Sequence, residues 1–305
     1  MPRCHHYRLA AFGLLATLPL FPQSDEEHRI STSVDLVVLS VTVRDRNRSF
    51  VAGLAKENFR VYEDRRPQQI TLFLQEDLPV TVGLIMDSSA SMGPKRSEMT
   101  AAATAFVAAS NPEDEMFVVG FNEVVSMGLP EAVPFTSEVE QLRAALSRFP
   151  TRGRTALYDA IETALEHLEK GQRDKKALIV FSDGGDNASE RTFREVLKKA
   201  SQSTATIYTI GLFDAQDADR NPNILKQLAR VTGGEAFLPN ALSEVVAICR
   251  QIAHDLRNRY TLGYTPSHEN GEPGYRTIQV TAAAPDRKKL SVRTRTGYLI
   301  PANRP

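Results

Sequence analysis

Residues 80–92 read VTVGLIMDSSASM. An apolar, β-branched run ends abruptly in Asp87, and hydroxyl residues follow at alternate positions, Ser89 and Ser91. This spacing predicts a buried strand running into a turn that presents three hard oxygens on one side. Oxygens with a single formal charge among them suit a small hard cation such as Mg²⁺, which keeps several waters and needs few protein ligands. By itself, Asp-x-Ser-x-Ser also reads as a capped strand–helix turn, because Asp and Ser are good helix N-caps.

Two later segments repeat the theme. Residues 153–159 read GRTALYD and place Thr155 just before a predicted helix; residues 179–186 read IVFSDGGD, an apolar strand, then an acid, then glycines. Asp87, Ser89, Ser91, Thr155 and Asp183 are therefore expected along one edge of one sheet. Two carboxylates and three hydroxyls make a low-charge, oxygen-only set that leaves a coordination position for a ligand from outside. Asp186 reads as a cap for the helix that follows it, and Asp159 as a helix-surface residue or a brace for the Thr155 loop.

The elements that must position these residues follow from periodicity. From Pro79, strands are predicted at Val80–Met86, Met116–Phe121, Lys176–Phe181, Thr204–Leu212 and Glu235–Leu238. Helices are predicted at Arg96–Ala109, Val139–Arg148, Ala156–Lys170, Glu190–Ser201, Ile224–Val231 (capped by Asn223) and Leu242–Asn258. Within 156–170, Leu157, Ile161, Ala164, Leu165 and Leu168 recur at helical spacing and leave Glu162, Glu166 and Glu169 outside. Such alternation implies a Rossmann-like α/β fold with a doubly wound, mostly parallel sheet, whose ligands bind beyond the carboxyl ends of the strands. Asp87 stands at that end of its strand.

Both flanks are different. Val34–Arg44, Phe59–Glu63 and Gln69–Leu74 alternate as short strands separated by the turns 45–48 and 64–67, and Tyr260–Tyr264, Tyr275–Ala282 and Leu290–Leu299 do the same. Neither flank has enough strands to bury both faces alone. The expectation is a discontinuous, sandwich-like all-β domain made of residues 30–78 and 259–305, with the α/β domain 79–258 inserted between them. Ahead of them, Arg3 and Arg8, the apolar run Leu9–Phe21 and the polar exit PQSDEE fit a secretory signal peptide over residues 1–24. An uncleaved membrane anchor is the competing reading, and the run is short for a spanning helix.

Bulk properties exclude some classes. The 305 residues are 42% hydrophobic and 24% charged, and 37 basic side chains balance 37 acidic ones. That balance argues against a nucleic-acid footprint, which needs a basic excess. Of two cysteines, Cys4 lies in the leader and Cys249 in a predicted helix, where it reads as a small buried hydrophobe. His28, His167, His254 and His268 are scattered. No serine has a partnered His for a Ser–His–Asp hydrolase, and no GxxxxGK[ST] phosphate loop occurs. The acidic stretch 214–223 fails as an EF-hand, because counting from Asp217 places Pro222 where Gly is required and Leu228 where Glu is required.

DSSAS at 87–91, Thr155 in GRTAL and Asp183 in FSDGGD together resemble the von Willebrand factor type A domain and its metal-ion-dependent adhesion site, over about residues 79–258. The resemblance implies bound Mg²⁺ or Mn²⁺, with Ca²⁺ a further option. It implies direct ligation by Ser89 and Ser91, with Thr155 joining when a ligand is engaged, and Asp87 and Asp183 acting directly or through water. A partner protein's Asp or Glu would supply the last oxygen, in a binding and adhesion module rather than an enzyme. The flanks, LSVTVRDRNRSFVAGLAKENFRVYEDRRPQQI with RYTLGYTP and VRTRTGY, are similar to bacterial secreted VWFA-related domain proteins frequent in Acidobacteria, which implies export to the periplasm, envelope or exterior. Two rival functions remain open. A hydrolase using the same ion would need Asp186 or Asp159 as general base; a scaffold would dock through its β domain and use the metal only for stability.

Overall fold

The computed structural model describes residues 36–75, 77–214, 219–267, 273–284 and 289–300. The expected leader 1–24, together with His28, Asp217 and His268, lies outside them. The described elements are β1 (Val37–Arg44), β2 (Phe59–Glu63), β3 (Arg66–Gln68), β4 (Ile70–Leu74), β5 (Val80–Asp87), α1 (Arg96–Ala109), β6 (Glu115–Phe121), β7 (Val125–Met127), α2 (Val139–Ser147), α3 (Leu157–Glu169), β8 (Lys175–Ser182), α4 (Phe193–Gln202), β9 (Thr206–Gly211), α5 (Pro222–Thr232), β10 (Ala236–Phe237), α6 (Val245–Asn258), β11 (Tyr260–Tyr264), β12 (Gly274–Ala282), β13 (Ser291–Arg293) and β14 (Gly297–Ile300).

The central sheet has six strands in the order β10-β9-β8-β5-β6-β7, parallel except for β7. Helices α1, α2 and α6 pack together on one face and α3, α4 and α5 on the other. Every residue of β5 is buried, as a continuous apolar run requires of a parallel strand covered by helices on both faces. The chain winds outward from β5 through β6 to β7, then returns to β8 and winds the other way. The reversal lies between β5 and β8, and a ligand crevice opens beyond the carboxyl ends of strands at such a point. Asp87 ends β5 and Ser182 ends β8.

Several helices start elsewhere than expected: α3 opens one residue late, at Leu157, and α6 at Val245, after a 3-10 turn over Leu242–Glu244. Residues 190–191 are loop, and α4 begins at Phe193 because Thr192 and Glu195 cap each other reciprocally. Asn223 lies inside α5, which opens one residue earlier on Pro222, whose fixed φ and missing N–H suit a first helical position. The short strand β7 was not expected; it pairs back antiparallel onto β6.

The flanks form two four-stranded antiparallel sheets, β13-β1-β11-β4 and β14-β12-β2-β3, so each sheet contains strands from both ends of the chain. The run 290–299, expected as a single strand, divides between the sheets, and part of the expected turn 64–67 is strand. Residues 66–74 supply β3 to one and β4 to the other, and residues 291–300 supply β13 and β14 in the same way. Pro67, expected in a turn, sits in β3 at a sheet edge, where its missing N–H is tolerated. Between the sheets lie Leu39, Val41, Phe59, Val61, Tyr260, Leu262 and Tyr264. The buried phenols are paired: Tyr260 donates to Val51 O at 2.8 Å, and Tyr264 donates to Glu63 Oε2 at 2.5 Å.

A seam of charged groups fastens the sandwich to the α/β layer. Arg44 of β1 pairs with Asp255 of α6 and, at 3.0 Å, with Glu235 just before β10. Arg293 of β13 pairs with Glu235 as well, and Arg259 donates to Thr206 Oγ1 at 2.7 Å. Thr206 and Glu235 lie where β9 and β10 begin, so this seam is at the amino edge of the sheet, away from Asp87 and Asp183. Cys249 is buried on α6, and burial pushes its thiol up to about 12.

Candidate metal centre

At the crevice beyond β5 and β8, oxygens form a continuous hydrogen-bonded chain. Ser89 Oγ donates to Asp87 Oδ1 at 2.6 Å, Ser89 Oγ and Ser91 Oγ are 3.2 Å apart, and Ser91 Oγ donates to Asp183 Oδ2 at 2.9 Å. Ser89 N also donates to Asp87 Oδ1, closing a turn that aims both serine hydroxyls the same way. Asp183 Oδ1 accepts from Gly185 N at 2.9 Å. Gly184 adopts φ +79, and a Cβ there would lie 2.3 Å from Asn221 O. Only glycine lets the 219–221 loop close down so that Asn221 N reaches Asp183 O.

Thr155 is placed by backbone rather than by its hydroxyl, which takes no part in this chain. Its N–H donates to Asn187 Oδ1 at 2.9 Å, and its carbonyl accepts from Asn187 N and Ala188 N. Backbone bonds from Arg152 N to Ser88 O and from Ala90 N to Gly153 O sew the Thr155 loop to the DSSAS loop.

The electrostatics favour a cation. Burial pushes the Asp87 carboxyl up to about 6, and the neighbouring Asp183 charge adds to the shift; hydrogen bonds from Ser89 and Ser182 oppose it. A fully buried carboxylate with no cation beside it is costly, so this pair invites a countercharge. The donor set fits a hard ion. Octahedral Mg²⁺ with bonds of about 2.0–2.1 Å holds adjacent ligand oxygens roughly 2.9 Å apart, close to the spacings along this chain. Among the described residues no cluster of three His, Cys, Asp or Glu could hold a metal, so a cation here depends on the serine hydroxyls.

Several supports escaped the sequence. Ser182 Oγ donates to Asp87 Oδ2 at 2.7 Å and accepts from Gly184 N, steering the first carboxylate from the neighbouring strand. Its position beside Asp183 was the available signal; for Asn187 the sequence offered none. Asp186 does not cap the helix after it. Its Oδ2 accepts from Tyr158 N at 3.0 Å and from Ser189 Oγ at 2.6 Å, so it caps α3 from a remote loop. Asp159 accepts from Glu190 N and Arg191 N, both at 2.9 Å, bracing the 186–192 loop rather than the Thr155 loop.

A sequence profile described as von Willebrand factor type A domain matches residues 82–185. That stretch runs from β5, through the Thr155 loop, to the Asp183 loop. Residues 82–185 belong to a von Willebrand factor type A domain. The fold around it agrees. A von Willebrand factor type A protein from Catenulispora acidiphila superposes with a TM-score of 0.51 at 13% identity, covering 87% of this chain and 75% of that one. The von Willebrand factor domain of a type V pilus tip protein from Porphyromonas gingivalis gives 0.50 at 16% identity, covering 58% and 95%. Proximal thread matrix protein 1 from the mussel byssus gives 0.50 at 18% identity, covering 59% and 49%. No curated protein sequence matches the chain. The second and third cover little more than half of this chain, the first most of it.

Proposed function

We propose that the chain is an exported, metal-ion-dependent protein-binding module. Its type A domain would hold Mg²⁺ (or Mn²⁺ or Ca²⁺) at Asp87, Ser89, Ser91, Thr155 and Asp183 and take up an Asp or Glu side chain of a partner protein. The observation that carries this reading is the unbroken chain of oxygens from Asp87 through Ser89 and Ser91 to Asp183 at the reversal point of the sheet. When bound, the cation supplies a Lewis-acid centre that attracts a carboxylate. The protein's own residues do the rest: neutral hydroxyls leave the ion's charge largely uncompensated, Ser182 and Gly185 N orient the carboxylates, and the Thr155 loop sits beside them for engagement.

The signal-peptide pattern supports export to the periplasm, envelope or exterior, and the neutral net charge supports a protein rather than a nucleic-acid partner. The hydrolase reading draws no support from the geometry. Asp186 and Asp159, the acids it would use as a base, are engaged with backbone N–H groups of the α3 terminus and the 190–191 loop. The deciding measurement is Mg²⁺ titration by calorimetry of the wild type and of the double variant Asp87→Ala, Ser89→Ala. Equal affinities would sink the proposal.

A further inference from the structure

A concentration of positive charge lies beside α5. Between α5 and strands β12 and β13 runs an open groove of about 550 Å³. Five cationic side chains line it, Arg48, Lys226, Arg230, Arg293 and Arg295, against the carboxylate of Glu235. The chain as a whole is neutral, so this is a local concentration of charge.

Part of that charge has a structural use. Arg293 pairs with Glu235, and Arg295 Nη2 donates to Ser201 O and Ser203 O at the carboxyl end of α4, where a helix dipole favours a cation. The remainder is held less closely. Lys226 and Arg230 are exposed, stand one turn apart on α5, and form no ion pair among the described residues. Like charges at that spacing repel, and α5 (PNILKQLARVT) carries no acid to relieve them. Arg230 gains from the last turn of the helix; Lys226, mid-helix, does not.

Arg48 breaks a second local rule. It adopts φ +63, a left-handed conformation that Gly or Asn takes far more easily, and its side chain is 81% exposed. Among the described residues its ion pair is a 3.4 Å contact to Glu235, which Arg44 and Arg293 already share. A strained backbone here holds an arginine at the groove where glycine would be more comfortable. The 45–49 turn fixes that conformation, with Asp45 N donating to Ser49 O at 3.0 Å and Arg48 N to Asp45 O at 3.1 Å.

We propose that this groove binds an oxyanion ligand of the phosphate class, gripped by Arg48 on one side and by Lys226 and Arg230 on the other. Guanidinium groups match the planar fork of such oxyanions, and an extended row of cations suits a ligand with more than one charge. None of the residues of the metal centre lines the groove.

The test uses the full chain in EDTA, so that the metal centre cannot contribute. Inorganic phosphate and pyrophosphate are titrated by calorimetry at an ionic strength matched with chloride, against wild type, Arg48→Gly, and the double variant Lys226→Gln, Arg230→Gln. Pyrophosphate should bind more tightly than phosphate, and each lost cation should weaken it roughly tenfold, the worth of one charge-assisted hydrogen bond. Arg48→Gly is informative because glycine suits that φ, so its thermal midpoint should not fall while its affinity does. Cosedimentation with anionic against neutral lipid vesicles separates the sources: capture by anionic vesicles, lost in both variants, assigns the phosphate to a lipid headgroup, and pyrophosphate binding without capture assigns it to a soluble ligand. Absence of both binding events in the wild type, or equal binding by all three proteins, overturns the proposal.

Discussion

Ser91 Oγ donates to Asp183 Oδ2 at 2.9 Å, joining residues 92 positions apart. This contact links the DSSAS turn after β5 to the acid after β8, across the reversal point of the sheet. A small hydroxyl thereby turns two separate strand ends into one ligand set.

Replacing that hydroxyl separates metal binding from stability. Ser91→Ala removes one net hydrogen bond, about 1 kcal/mol, and leaves Asp183 held by Gly185 N. The variant should fold, with a thermal midpoint in EDTA a few degrees below wild type at most. Its Mg²⁺ affinity should fall by about tenfold or more, for loss of a ligand oxygen. Calorimetry and differential scanning fluorimetry check the two halves. An unchanged affinity would remove Ser91 from the set.

Cation removal should lower stability by mass action. At Mg²⁺ a hundredfold above its dissociation constant, a site that binds only the folded state adds about 2.7 kcal/mol. Wild type should therefore melt higher in Mg²⁺ than in EDTA, and Asp183→Ala should melt at the same temperature in both. A Mg²⁺ response retained in that variant would place the cation elsewhere.

Asp186 distinguishes a cap from a ligand. Asp186→Ala removes one of the two acceptors of Tyr158 N at the amino end of α3, leaving Ser189 Oγ at 3.1 Å, and should cost about 1 kcal/mol or less in urea unfolding. Mg²⁺ affinity should stay within about twofold of wild type, since a loss of 1.4 kcal/mol is needed for a tenfold change. A large loss of Mg²⁺ binding would bring Asp186 into the metal centre after all.

His167 should give the fold a pH-sensitive component. It packs against Phe117 and Phe135, with ring centroids at 4.6 and 4.9 Å, and its Nε2 lies 2.8 Å from Pro134 O. Burial holds its pKa below the ordinary 6.5. Between the folded value and 6.5 the unfolded chain binds more protons, so stability rises with pH through that window. Equivalently, it is lost as pH falls from 6.5 towards the folded value. Urea midpoints of wild type and His167→Gln, compared from pH 8 to pH 5, should converge on acidification. Parallel curves would show that His167 does not titrate with folding.

The seam between sandwich and α/β layer should behave as a buried ion-pair unit. Asp255, with 3% of its side chain exposed, faces Arg44 and Arg293. Asp255→Ala leaves two guanidiniums sharing Glu235 and should cost about 3–5 kcal/mol, as for one lost partner of a buried pair. Asp77→Ala, which removes the exposed pair with Arg257, should cost under about 1 kcal/mol. Similar costs for the two variants would contradict the seam's buried character.

Sequence periodicity alone determined the alternation of strands and helices from Val80 to Asn258 and the all-β character of the flanks. It also located Asp87, Ser89, Ser91 and Asp183 at or just beyond the carboxyl ends of strands, and Thr155 just before a helix. These are local properties: a period of 2 or 3.6 residues and a polar residue ending an apolar run are visible within a short window. What lay beyond that window was decided by tertiary packing. Residues 290–299 read as a single strand, because alternation continues through the point where the chain crosses between sheets, and 64–67 read as turn although β3 begins at Arg66; only the shape of the core requires the crossing. Asp186 read as a cap for the next helix, because a remote helix end is invisible along the chain. Ser182 and Asn187 have no role assigned from sequence, yet one steers Asp87 and the other holds Thr155. The DSSAS turn itself could have been no more than a helix cap. Its serines join Asp183 because parallel pairing places β5 beside β8, and hydrogen bonds between residues so distant in sequence exist only once the sheet has brought their strands together.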